Sequence, residues 1–67
     1  MLLNLKAEMV KAEVSAADIA KVINRSERSV RSKVSGRTSF TFPEARKIHD
    51  ELFPETSIEY LFDAGSP

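Results

Sequence analysis

The sequence VSAADIAKVINRSERSVRSKVSG, residues 14–36, has the pattern of two short helices joined by a tight turn. Ser15 can begin the first of the two, because its hydroxyl accepts hydrogen bonds from exposed backbone N–H groups. Asn24 lies where the chain must turn, and Asn adopts the left-handed backbone conformation more readily than most residues other than Gly. Ser26 can begin the other helix as Ser15 does. The rest of the chain is predicted to pack around this pair.

The apolar residues of the pair recur at the spacing of one buried face per helix, namely Ile19, Val22 and Ile23, then Val30 and Val34. The latter helix is predicted from Glu27 to about Ser35. Gly36 is placed to end it, because glycine adopts the left-handed conformation common at helix C-termini. With its valines turned to the core, this helix presents its polar residues outward: Glu27, Arg28, Arg31, Ser32 and Ser35.

Three further helices are predicted, so that the chain is an all-α domain of five helices spanning residues 1–67. A first helix, from about Leu3 to Glu13, follows from an apolar stripe at helical spacing. That stripe comprises Leu2, Leu5, Met9 and Ala12. Residues 65–67 are predicted to form a frayed end.

The fourth and fifth helices are each predicted to begin at a Thr-x-x-Glu capping box. The two boxes are Thr41 with Glu44 and Thr56 with Glu59. Pro54 stops the fourth helix, because proline cannot donate the hydrogen bond that a helix interior needs. The fifth helix is short and is predicted to end at about Asp63.

Composition limits the class of protein. The chain has no cysteine, which excludes disulfides and thiolate metal sites. No apolar run approaches the ~20 residues of a membrane span, and the apolar residues 1–3 are too few for a signal peptide. We therefore expect a cytoplasmic protein with no membrane partner.

Groups that could do chemistry are scarce. His49 is the only histidine, and its neighbours Asp50 and Glu51 would point in other directions on a helix, which does not suit a metal site. The two glycines do not form a phosphate-binding loop, and no Ser/His/Asp arrangement can be argued from one histidine. The sequence predicts no enzyme activity, catalytic residue, metal ion, cofactor or small-molecule substrate.

The net charge is zero, but the charges are unevenly distributed. Residues 21–37, called here the basic block, carry six basic side chains against one acidic, a net charge of +5. Residues 44–67 carry two basic side chains against six acidic, a net charge of −4. A basic block is typical of a face presented to a polyanion such as nucleic acid. A mixed solvated surface accounts for the charges about equally well.

The predicted pair of helices resembles the helix-turn-helix of the Cro/CI-like (XRE-type) phage repressor family. The matching features are Ile19-Ala20, the turn at Asn24, Ser26, Val30, Ser35-Gly36-Arg37, Phe40 and the run from Phe42 to Ile48. The resemblance extends from about Leu5 to Phe62. It implies a compact, five-helix, lambda-repressor-like DNA-binding domain with the helix-turn-helix at helices two and three.

The family reads bases from the start of the third helix and again about one and a half turns later. Carried onto this sequence, the resemblance implies base contacts by Glu27, Arg28 and Ser32. Arg suits guanine, Glu can accept from the amino group of cytosine, and Ser can bond several base edges. Arg31 also faces outward and is expected to contact either a base or a phosphate.

The resemblance further implies that the start of the second helix and the loop after the third helix bind phosphates. The candidate phosphate contacts are Ser15, Ala16, Ser29, Arg37, Thr38 and Ser39.

Three residues depart from the family pattern. Ala16 stands where a phosphate-binding Gln is common, and Arg25 and Lys33 stand at positions that are usually apolar. We expect Arg25 to turn outward with its stem packed, as an additional phosphate contact. Either the third helix rotates slightly to bury Val34, or Lys33 packs its stem and extends its ammonium to solvent.

The family binds two half-sites about 34 Å apart, so a homodimer on a pseudo-palindromic double-stranded DNA operator is expected. The predicted dimer interface lies in the acidic last third and comprises Ile58, Tyr60, Leu61 and Phe62. Tyr60 is the better candidate, because positions 58, 61 and 62 share one helix face and Tyr60 lies off it. The alternative is that Leu61 and Phe62 simply cover the first helix.

Two functional hypotheses follow. The first is a sequence-specific DNA-binding transcriptional regulator, a phage or prophage repressor of the Cro/CI type. The second is a small helical protein-interaction adaptor or antirepressor that keeps the fold. The zero net charge, Ala16 and the acidic last third favour the second, and the basic block favours the first.

Overall fold

The computed structural model describes residues 2–63, which form five α-helices and no strand. The helices are α1 (Leu3–Ala12), α2 (Ala16–Ile23), α3 (Glu27–Ser35), α4 (Phe42–Leu52) and α5 (Ile58–Leu61). The all-α, five-helix prediction is confirmed, although α1 and α5 end slightly earlier than predicted. Over residues 2–63, no helix has the length and apolar character needed to cross a membrane. The predicted frayed end, residues 65–67, lies outside the described residues.

Side-chain caps begin most of the helices where the sequence predicted them. The Ser15, Ser26 and Thr41 hydroxyls each accept a hydrogen bond from the backbone N–H three residues later, at 3.1–3.3 Å. For α5 the prediction was wrong by one residue. Ser57, not Thr56, accepts from the N–H of Tyr60.

Left-handed residues end the first three helices. Asn24 has a φ of 57° and Gly36 a φ of 95°, as predicted for the ends of α2 and α3. Glu13 ends α1 with a φ of 56°, which its residue type did not indicate. The turn from α2 to α3 is therefore short, because the chain reverses at a single left-handed residue and the next cap follows at Ser26.

The core lies where the five helices meet. Its buried side chains are Leu5, Ile19, Ala20, Ile23, Val30, Ile48, Phe53 and Leu61. Leu5, Ile19, Ile23 and Val30 were predicted from helical spacing, but Ala12 is exposed and Phe53, just beyond α4, was not predicted to be buried. Helix α2 packs against α3 and α4, while α5 packs against α1 and α4. This arrangement fixes the inner side of α3 and leaves its polar side open.

Two hydrogen bonds connect the ends of the chain to this frame. The N–H of Leu2 donates to the carbonyl of Val34 in α3 at 2.9 Å. The side-chain amide of Asn4 donates to the carbonyl of Tyr60 in α5 at 2.9 Å. Both bonds link α1 to helices that are distant in sequence.

Candidate nucleic-acid interface

The outward side of α3 carries the predicted base-reading residues. Val30 is fully buried and Val34 packs partly against the core, so the opposite side of the helix faces solvent. Glu27, Arg28 and Arg31 are exposed and together line one shallow depression. Ser32 is half-buried and follows Arg28 by four residues, so the two share a helix face. We call the surface formed by Glu27, Arg28 and Arg31 the α3 face.

An ion pair spans the α3 face. Arg31 Nη2 donates to Glu27 Oε2 at 2.5 Å, one helical turn away. The two side chains are 71% and 46% exposed, so water screens the pair. The Arg28 side chain forms no hydrogen bond or ion pair with any residue in the range 2–63. Arg28 is therefore the cation of the α3 face that can bind an external anion or base without breaking an internal ion pair.

A buried carboxylate holds the two cations that depart from the family pattern. Arg25 Nε donates to Glu44 Oε2 at 3.1 Å, and Lys33 Nζ donates to Glu44 Oε1 at 3.1 Å. The N–H of Thr41 also donates to Glu44 Oε1, at 2.9 Å. One side chain of α4 thus binds the α2–α3 turn, α3 and its own helix terminus. We call Arg25, Lys33 and Glu44 the Glu44 cluster.

The surroundings of the Glu44 carboxylate lower its pKa. Burial would raise its pKa, but hydrogen bonds from Thr41, Lys33 and Arg25 outweigh that effect. The pKa of Glu44 therefore lies below its usual value of 4.5. Among residues 2–63, every buried side-chain nitrogen or oxygen has a hydrogen-bond partner, which agrees with the hydrogen bonds that both Glu44 carboxylate oxygens accept.

The Lys33 stem is packed as expected, but its ammonium binds Glu44 and does not extend into solvent. The Lys33 side chain is only 11% exposed, so it does not snorkel to solvent. Its ammonium lies 5.8 Å from the centre of the Phe40 ring and also donates to the carbonyl of Ser39. Val34 remains half-buried beside it. Arg25 is turned outward as expected, but its guanidinium is already bound to Glu44 rather than unpaired.

Internal pairing reduces the charge that the basic block offers. Arg25 and Lys33 are paired with Glu44, and Arg31 with Glu27. Within the described part of the chain, the block's cations that form no ion pair are Lys21, Arg28 and Arg37. The positive electrostatic potential of the basic block is therefore weaker than its number of basic residues suggests, because each paired cation has a carboxylate within hydrogen-bond distance.

The predicted phosphate contacts are placed unevenly. Arg37, Thr38 and Ser39 are exposed in the loop after α3. The N–H groups of Arg37 and Thr38 both donate to the carbonyl of Ser32, at 3.0 and 3.4 Å. The carbonyl of Ser32 therefore already occupies the N–H groups of Arg37 and Thr38. The exposed side chains of Arg37, Thr38 and Ser39 remain available to a phosphate.

The start of α2 is occupied by a carboxylate. Asp18 Oδ2 accepts from the N–H of Ser15 at 2.9 Å, and the Ser15 hydroxyl accepts from the N–H of Asp18. The hydrogen bonds from Ser15 hold the pKa of Asp18 below its usual range. A phosphate near Ser15 would meet this negative charge, which disfavours the phosphate contacts predicted for Ser15 and Ala16; these contacts stay predictions. Ser29 is half-buried on the inner margin of α3.

Helix α5 only partly fits its predicted role in a dimer. Leu61 is fully buried, so its inclusion in the interface was wrong: it has no surface to offer a partner. Phe62 packs edge-to-face on Phe40, with ring centres 5.4 Å apart, and Ile58 is half-buried. Tyr60 is 42% exposed and is the residue of α5 best placed to contact another molecule.

The sequence reading did not identify Glu44 as part of this region beyond its capping box. A signal was present, since Arg25 and Lys33 occupy positions for which the expected resemblance predicts apolar residues. Two such cations near one another require a nearby anion.

His49 pairs with its neighbour Asp50 at 2.8 Å. No group of three potential ligands among residues 2–63 is placed to hold a metal ion.

No model of a known protein family, no curated protein and no solved structure matches this chain.

Proposed function

We propose that this chain is a sequence-specific double-stranded DNA-binding domain of the lambda-repressor-like type, with its helix-turn-helix at α2 and α3. The observation that carries the proposal is the α3 face. Arg28 is exposed and unpaired among residues 2–63, beside Glu27 and Arg31, on a helix whose opposite side is anchored by Val30. A helix that enters a major groove needs this division between a docked side and a polar side.

The protein would act by binding alone. As a cytoplasmic regulator of the Cro/CI repressor type, it would occupy a phage or prophage operator and block polymerase, or occasionally recruit it. Arg28 would donate to guanine O6 and N7, while Ser32 would bond a neighbouring base. Arg37, Thr38 and Ser39 would place side chains on the phosphate backbone and set the register of the helix.

The runner-up is a protein-interaction adaptor or antirepressor, which the internal pairing of the basic block favours. Retention on a column of random duplex DNA at low salt separates the two functions. A DNA-binding domain is retained and elutes with salt, because binding releases counterions from phosphates. An adaptor flows through. Selection of bound sites from a random duplex pool then gives the operator and its symmetry.

Arg28→Ala is expected to weaken binding to the selected site by about 1–3 kcal/mol and to affect random DNA far less. The physical reason is the loss of a bidentate contact to one base pair, which random sequence does not offer in register. Equilibrium titration of the wild type and the variant on both duplexes measures the difference. Equal losses on both would make Arg28 a phosphate contact and contradict its role as a base reader.

Arg37→Ala is the matched control, since it removes the same charge from the loop. This variant should weaken both duplexes alike and lower the salt slope by about one unit. The Arg37 and Thr38 N–H groups are bound to Ser32, so the guanidinium is the group of Arg37 that can bind phosphate.

The active species is proposed to be a homodimer on a pseudo-palindromic operator, because one recognition helix covers too few base pairs for useful specificity. Tyr60 and the half-buried Ile58 of α5, with the half-buried Phe62 that follows the helix, could form the interface. Sedimentation with and without a palindromic duplex should show two protomers per operator, and Tyr60→Ala should weaken that assembly. One protomer on every operator would rule the dimer out, whereas a dimer unaffected by Tyr60→Ala would only move the interface.

A further inference from the structure

We infer that Glu27 determines specificity by restraining Arg31: the ion pair keeps Arg31 from adding a phosphate contact on DNA of arbitrary sequence. This inference rests on the proposed DNA-binding function. The two arginines of the α3 face differ in their pairing. Arg31 is bound to Glu27 at 2.5 Å, whereas Arg28 has no such partner among residues 2–63.

The geometry makes the restraint conditional. Glu27 and Arg31 lie one turn apart and are 46% and 71% exposed, so the pair is screened by water and opens easily. A phosphate that captures Arg31, however, leaves the Glu27 carboxylate unpaired beside a polyanion. Random DNA offers a phosphate at every step but seldom a donor in register with the carboxylate, so opening the pair is unfavourable there.

A duplex of the right sequence can satisfy both members. Guanine presents O6 and N7 as acceptors for Arg31, and cytosine presents its N4 amino group as a donor for Glu27. The pair thus suits a site with guanine and cytosine at adjacent edges of the major groove. Glu27 then discriminates between DNA sequences in two ways. It contacts cytosine on the right sequence, and its unpaired carboxylate weakens binding to the wrong ones.

The test measures binding of the full chain to a random duplex between 50 and 200 mM salt. Glu27→Gln should bind more tightly than wild type and steepen the salt slope by about 0.9, so that its advantage falls about 3.5-fold across that range. Affinity for the selected site should rise less or fall, so the ratio of specific to random affinity decreases. Thermal unfolding of each variant reports whether its fold is intact.

Two controls separate restraint of Arg31 from simple charge repulsion. Glu59→Gln makes the same charge change on α5, which packs against α1 and α4, and should leave the slope unchanged. Glu27→Gln in an Arg31→Ala background should raise the slope clearly less than it does alone. If Glu27→Gln raises the salt slope equally in the wild-type and Arg31→Ala backgrounds, or in neither, the inference is overturned while the proposed DNA binding stands. Absence of any binding by wild type and variants overturns the proposed function and this inference together.

Discussion

Glu44→Ala is expected to lower the free energy of unfolding by about 3–5 kcal/mol, the usual cost of removing one partner from a buried ion pair. The Lys33 and Glu44 side chains are 11% and 9% exposed, so Lys33 would be left with a poorly solvated charge. The more exposed Arg25, at 57%, would be rehydrated and contributes less. A domain of this length is stable by only about 3–10 kcal/mol in total, so the loss is a large share.

Urea unfolding gives this free energy directly. Asp50→Ala is the matched control, because Asp50 also pairs with two neighbours from α4 but is exposed. It should change stability little. A Glu44→Ala loss below about 1 kcal/mol would show that the Glu44 cluster behaves as an ordinary surface pair.

Glu44→Gln separates the charge from the cap, since the amide oxygen can still accept from the N–H of Thr41. Because the folded pKa of Glu44 is lowered, its charge stabilises the protein fully above the unfolded value near 4.5. That contribution is lost as the pH falls through the folded pKa. The stability difference between wild type and Glu44→Gln should therefore shrink below pH 4.5. Asp18 and Asp50 titrate in both proteins and cancel in the difference.

Leu61→Ala is expected to lower the free energy of unfolding by about 2–5 kcal/mol, because it leaves a cavity where a fully buried side chain was. The loss should be the same at all protein concentrations, since Leu61 belongs to the core of one chain. Tyr60→Ala, from the adjacent exposed position, is the control and should change the stability of the single chain much less. A Leu61→Ala loss that varies with protein concentration would place Leu61 in an interface after all.

The helices and their ends were largely predictable, because the signals that fix them are local. Ser26 and Thr41 cap N–H groups three residues away, and Asn24 and Gly36 supply the left-handed residues that end α2 and α3. Such bonds lie within one turn and depend little on the rest of the chain. The inward position of Val30 follows equally from helical spacing.

The candidate site was predictable only in its outline. Spacing placed Glu27, Arg28 and Arg31 on the outer side of α3, since residues three and four apart share a helix face. The same rule allows Glu27 to pair with Arg31, and the structure shows that this pair forms and leaves Arg28 as the unpaired arginine of the α3 face among residues 2–63. The sequence alone did not indicate that hydrogen bonds within the protein already occupy the N–H groups of Arg37 and Thr38.

By itself, then, the sequence determined an all-α chain of five helices, the turn between α2 and α3, and the polar outer side of α3. Only the tertiary structure decided how Arg25 and Lys33 are accommodated, because Glu44 lies 19 and 11 residues away from them in sequence. It likewise decided that Leu61 belongs to the core and Tyr60 to the surface. Contacts between distant helices depend on how the helices pack, and one helix's spacing does not specify which partner its side chains meet.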